Sequence, residues 1–191
     1  MRRLLPALVV ALTLLLGAIP APGIAQDGRE LSDEARRQYA QALKVASGLV
    51  KDKQYADAMV KIEALLRERP REPQARFLKG VVEAEEGKRD AAIATLQVLS
   101  EDFPELPEPY NNLAVLYAQK GEYESARVAL ETAVRVAPEW AVPRENLGDV
   151  YARLAAAEYE RAAKLDRSNK RAPAKLGMVR ELLATGEAGK P

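Results

Sequence analysis

Residues 106–140 read LPEPYNNLAVLYAQKGEYESARVALETAVRVAPEW. Tyr110, Leu113, Ala114 and Tyr117 recur at the three- and four-residue spacing that puts side chains on one face of a helix. Gly121 interrupts that pattern. Ala126, Leu130 and Ala133 then mark the inner face of a second helix, and Pro138 closes it. The stretch predicts a helix, a short turn, a second helix and a stop.

The same marks return along the chain. Pro70, Pro104 and Pro138 are each 34 residues beyond the one before. A small residue recurs at Ala58, Ala92 and Ala126, and a large apolar residue four places later at Ile62, Leu96 and Leu130. Turns fall in register at 51–55, 87–89 and 121–123. Small residues where two helices cross allow a short interaxial distance, and bulky neighbours fill the remaining space. Proline ends each second helix because it has no N–H and disfavours helical geometry in the residue before it. Three repeats in register argue against a helical bundle with coincidental spacing.

This order and spacing resemble the tetratricopeptide (TPR) repeat, W-x2-L-G-x2-Y followed by A-x3-F and a proline. Tyr110 stands where Trp is usual, Ala114 where Gly is usual and Leu130 where Phe is usual. The resemblance implies an all-α fold, a TPR-like right-handed α-solenoid of antiparallel helix pairs. The chain also resembles exported bacterial TPR proteins of the proteobacterial envelope, which implies a location more than an activity.

Around the repeats, residues 1–25 carry Arg2 and Arg3, an apolar run from Leu4 to Ile19 and the breakers Pro20, Pro22 and Gly23. That is the pattern of a Sec-type signal peptide, with cleavage expected after Ala25. The expected location is periplasmic, the alternative being an inner-membrane anchor left uncleaved. Residues 26–32 form a lead and 33–185 the repeat domain. Within it the repeats fall at about 39–72, 73–106 and 107–140, with a degenerate repeat at 141–169 and a capping helix at 171–184; 186–191 is a tail. Ser32 is placed to cap the first helix, with Asp33 and Glu34 favourable at the positive end of its dipole.

The degenerate repeat has good first-helix marks in Leu147, Gly148 and Tyr151. Its second-helix marks, Ala155, Tyr159 and Ala162, come five residues early, and no Gly or Pro occurs between Asp149 and Arg171. The spacing predicts one unbroken helix over about 144–166, on the order of 35 Å long. Repeat two is weaker in a different way. Lys79 and Glu83 occupy its Leu and Tyr positions, with Phe77 and Leu78 expected to compensate.

The chain has no histidine and no cysteine. That removes the usual general base, the thiol nucleophile and the commonest metal ligands. No enzyme activity, cofactor or metal is expected. Without Arg2 and Arg3 the 29 basic residues fall to 27, against 28 acidic ones. Such a balance argues against nucleic acid or a lipid membrane as the main partner once the signal is removed.

A protein or peptide partner remains. In TPR proteins the first helices of successive repeats line a concave groove, and the resemblance carries that role to Phe77 and Val81 in repeat two. In repeat three it falls to Glu108, Asn111, Asn112, Val115 and Gln119, and in repeat four to Glu145, Asn146, Asp149 and Arg153. Asn112 and Asn146 share one repeat position and suit either a peptide backbone or helix-to-helix contacts. The groove positions are mainly neutral or acidic. A partner segment with apolar anchors and basic residues fits them better than the C-terminal carboxylate bound by chaperone-type TPR domains. The expected role is an interaction scaffold in cell-envelope assembly or maintenance. The alternative is a self-assembling structural component that packs through exposed edge helices.

Overall fold

The computed structural model describes residues 32–188. The readings of residues 1–31 as signal peptide and lead, and of 189–191 as the end of the tail, lie outside the described residues. Within them the chain is all helix: α1 Asp33–Lys51, α2 Tyr55–Glu68, α3 Pro73–Glu85, α4 Arg89–Asp102, α5 Pro107–Lys120, α6 Tyr123–Val136, α7 Ala141–Leu165 and α8 Arg171–Ala188. No strand occurs among the described residues. The chain divides after Pro104 into two compact units, α1–α4 and α5–α8.

Two kinds of turn generate the repeats. The turn inside a hairpin places one residue in the left-handed region: Lys53 at φ 57°, Gly87 at 78° and Gly121 at 80°. At each, the next residue's N–H reaches back to close the helix end, Gln54 to Leu49 O at 2.8 Å, Lys88 to Glu83 O at 2.8 Å and Glu122 to Tyr117 O at 2.9 Å. This is the Schellman closure, which satisfies carbonyls that the helix itself leaves open. Glycine adopts that geometry without strain, whereas Lys53 does so at a cost.

The turn between hairpins is set by the prolines. α2, α4 and α6 each end two residues before Pro70, Pro104 and Pro138. The residues between, Arg69, Phe103 and Ala137, leave the helix at φ −136°, −135° and −128°. Pro73 and Pro107 then open α3 and α5 at positions where the missing N–H costs nothing. Ser32 caps α1 as expected, its Oγ accepting from the Ala35 N–H at 3.2 Å.

In the N-terminal unit Ala46, Ala58 and Ile62 are fully buried in the first hairpin, and Ala92 and Leu96 in the second. Gly80 supplies the close approach in α3. A methyl group there would lie 2.9 Å from Cγ and Cδ2 of Leu96. Phe77 and Leu78 are buried and compensate as expected. Glu83 is buried as well, accepting from Thr95 Oγ1 at 2.7 Å with Lys79 Nζ 3.7 Å away. A hydrogen-bonded acid thus occupies in repeat two the position that Tyr117 holds in repeat three. In the C-terminal unit Ala114, Ala126, Leu130 and Ala133 form the equivalent seam between α5 and α6, all at most 1% exposed.

α7 is one helix of 25 residues with no chain reversal at Leu154–Ala157. The fused fourth repeat is therefore a feature of the fold. Asp166 leaves α7 at φ −128°, and the Asn169 N–H reaches Asp166 O at 3.2 Å. Trp140 and Ala137 make the same closure after α6, at 3.1 Å. The fourth repeat has kept its exit turn and lost its internal one. α8 continues to Ala188, beyond the Ala184 at which the sequence pattern ends it. Gly177 and Gly186 each lower helix propensity by about 1 kcal/mol but supply no stop.

Candidate partner-binding surface

α5 brings most of the candidate residues together. Glu108 follows Pro107 in the first turn, and Asn112 lies one turn further along the same face. Both are buried, at 7% and 4% exposed. Glu108 Oε2 and Asn112 Oδ1 have no hydrogen-bond partner. Burial pushes the Glu108 carboxyl above its ordinary value, partly opposed by a hydrogen bond from its own backbone N–H. Each unsatisfied buried acceptor costs on the order of 1–3 kcal/mol.

Asn111 is differently placed. It is 1% exposed, and its Oδ1 accepts from Asn146 Nδ2 of α7 at 2.9 Å. This bond joins two first helices of neighbouring repeats. Of the two readings open for the asparagines, helix-to-helix contact describes the Asn111–Asn146 pair, while Asn112 keeps an open acceptor. Val115 is buried, and Gln119 is half-buried on the last turn of α5.

On α7, Glu145 and Asp149 are exposed at one-turn spacing and Arg153 follows at the next turn. Partial desolvation and the neighbouring Glu145 raise the Asp149 carboxyl above its usual value, while Arg153 opposes the shift. The Arg153 guanidinium lies 5.7 Å from the centre of the Tyr123 ring on α6, and its Nε has no hydrogen-bond partner. Tyr123 opens α6, and periodicity carries no signal for such a stacking contact. The α7 face presents two carboxylates and one arginine drawn toward an aromatic ring.

In the N-terminal unit, Phe77 and Val81 on α3 are 3% and 1% exposed and present almost no surface to a partner. That unit also has a shallow cleft of about 250 Å3 lined by Leu66, Pro70, Arg76, Lys79, Thr95 and Val98. Arg76 at its edge is held by Asp102 at 2.6 Å, so the cleft offers no cluster of open polar groups. Among the described residues no three His, Cys, Asp or Glu side chains converge as metal ligands. No described helix is long and apolar enough to cross a membrane.

Short antiparallel hairpins repeated at 34 residues, with Schellman turns inside and proline turns between, define a helical-repeat protein. The tetratricopeptide repeat family matches residues 84–143, from the end of α3 to the start of α7. Among solved structures, the chain is similar to YrrB, described as a TPR protein with an unusual peptide-binding site. That likeness has 24% identity and a TM-score of 0.52, and covers 56% of this chain and 55% of YrrB. The chain therefore spans just over half the length of YrrB. It is also similar to the first TPR of Spaghetti (RPAP3) bound to the HSP90 peptide SRMEEVD, at 13% identity and TM-score 0.58, covering 62% of this chain and 94% of that one. A third is the Yersinia enterocolitica type III secretion chaperone SycD in complex with a peptide of the translocator YopD. It has 20% identity and TM-score 0.56, covering 70% of this chain and 99% of SycD. At these identities the likeness is one of fold, a TPR-like helical solenoid. No curated protein matches the sequence.

Proposed function

We propose that this chain is a non-enzymatic interaction scaffold whose C-terminal unit holds an extended segment of a partner protein against α5 and α7. The observation that carries the reading is the exposed carboxylate pair on α7, Glu145 and Asp149, one helical turn apart. Such carboxylates take charge-assisted hydrogen bonds from a basic side chain. Glu108 and Asn112 on α5 are buried and shape the surface from beneath. The partner segment is accordingly basic, with apolar anchors, and is not an acid-ended peptide of the kind held by RPAP3. The peptide complexes of SycD and RPAP3 and the peptide-binding site of YrrB support the use of this fold as a peptide receptor.

The location is proposed to be the periplasm, in envelope assembly or maintenance, on the strength of the signal-like pattern of residues 1–25. The test is affinity capture from an envelope extract with the wild-type chain and with a Glu145→Gln, Asp149→Asn variant whose helical circular dichroism is unchanged. Partners lost by the variant alone are the expected result, and an identical set of captured proteins would defeat the reading. Fractionation with N-terminal mass determination checks the location. A periplasmic chain beginning at Gln26 is expected, and a cytosolic chain that retains residues 1–25 would overturn it.

A further inference from the structure

The near balance of 29 basic and 28 acidic residues hides a local excess. Between 164 and 175 stand Lys164, Arg167, Lys170, Arg171 and Lys175 against one acid, Asp166. Lys164 lies in the last turn of α7, and Arg167 and Lys170 lie in the connection. Arg171 opens α8, with Lys175 one turn further on. All five are exposed, and none is ion-paired with a described residue. Lys175 Nζ lies 5.5 Å from the centre of the Tyr159 ring, a contact that leaves its charge in place.

The acids of this region are already engaged. Asp166 Oδ1 accepts from the N–H and the hydroxyl of Ser168, at 2.9 and 2.6 Å, within the turn. Glu158 and Glu160 of α7 are held by Arg161 and Arg180, neither of which belongs to the cluster. The first N–H groups of α8 are occupied too, those of Arg171 and Ala172 donating to Asn169 Oδ1 at 3.0 and 3.1 Å. What stays open is side-chain positive charge. Among these cations Leu165, the last residue of α7, is 89% exposed.

We propose that the α7–α8 turn docks on a membrane bearing anionic phospholipid. Electrostatic attraction acts within a Debye length, about 10 Å at 0.1 M salt, so a local cluster attracts whatever the total charge. A bilayer interface supplies acid and hydrocarbon together. Its headgroups meet the lysines and arginines, and the adjoining acyl chains take Leu165 and the apolar stems of the basic side chains. Nucleic acid would meet the charge and leave the leucine in water, and the chain has no aromatic residue after Tyr159 on which a base could stack. The proposal does not depend on the peptide reading of α5 and α7.

Co-sedimentation with phosphatidylcholine vesicles, plain or carrying about 30 mol% phosphatidylglycerol, tests it. The chain beginning at Gln26 is used, which keeps all eight helices. It should bind the anionic vesicles only, and less as salt rises. Each cation near such a surface is worth about fivefold in binding, so Arg167→Gln, Lys170→Gln, Arg171→Gln should weaken it about a hundredfold. Leu165→Ser should weaken it about tenfold and leave the salt dependence unchanged. The variant Lys44→Gln, Lys51→Gln, Lys61→Gln removes the same charge from exposed positions on α1 and α2 and should bind like wild type. No binding to the anionic vesicles, equal binding to the neutral ones, or equal loss in both triple variants would overturn the proposal. So would tighter binding to a DNA duplex or to polyglutamate than to the anionic vesicles.

Discussion

Alanine at Gly80 and alanine at Gly48 are the same substitution in two helices of the N-terminal unit, with opposite expected outcomes. Both remove a helix-interior glycine and gain about 1 kcal/mol from helix propensity and a less mobile unfolded chain. At Gly48 the new methyl group meets nothing within 4 Å, so the gain stands alone. At Gly80 it lies 2.9 Å from Leu96 Cγ and Cδ2 and 3.5 Å from Thr95 Cγ2. Leu96 is fully buried, and its Cγ is not a free end that can swing aside. Overpacking of this kind costs about 1–3 kcal/mol, which cancels or exceeds the propensity gain. The difference between the two variants is independent of the backbone term and equals the packing cost alone. With a urea dependence of about 2 kcal/mol per molar, their midpoints should separate by roughly 1 M, Gly48→Ala above wild type and Gly80→Ala below Gly48→Ala. Equal midpoints, or Gly80→Ala the more stable, would refute a close approach of α3 and α4 at this glycine.

Lys53→Gly relieves the left-handed residue of the first hairpin turn and should raise stability by about 1 kcal/mol, read as an increase in melting temperature. Glu108→Gln should stabilise the chain at neutral pH. The folded carboxyl has a raised pKa, so the acid form favours folding below the unfolded value near about 4.3, and that contribution is lost as pH rises through the folded value. Urea midpoints measured from pH 4 to pH 7 should fall less steeply for the variant than for wild type, and parallel curves would show that Glu108 is not desolvated.

Much of this architecture is legible in the sequence because it is periodic. Pro70, Pro104 and Pro138 locate the ends of α2, α4 and α6, since a missing N–H acts locally and needs no tertiary context. The unbroken α7 is legible for the same reason: Leu154–Ala157 contains nothing that bends a chain. What periodicity does not contain is how deep each position lies. Asn111 and Asn112 are neighbours of one residue type, yet the first is bonded to Asn146 and the second retains an open acceptor. That difference depends on tertiary packing, since Asn146 of α7 meets Asn111. Gly80 at the α3–α4 crossing stands at the Gly position of the repeat pattern, but the pattern, which has Ala114 there in repeat three, does not show how closely Leu96 approaches it. Lys53 in a glycine's conformation is legible only through the register with Gly87 and Gly121.

The central claim is that the α5–α7 surface recognises an extended basic segment. Selection of a displayed random-peptide library on the immobilised chain addresses it whatever the natural partner is. Enriched peptides should combine Lys or Arg with apolar anchors and should lose binding to the Glu145→Gln, Asp149→Asn variant. Enrichment of acid-ended peptides, or of peptides that bind that variant equally well, would contradict the account.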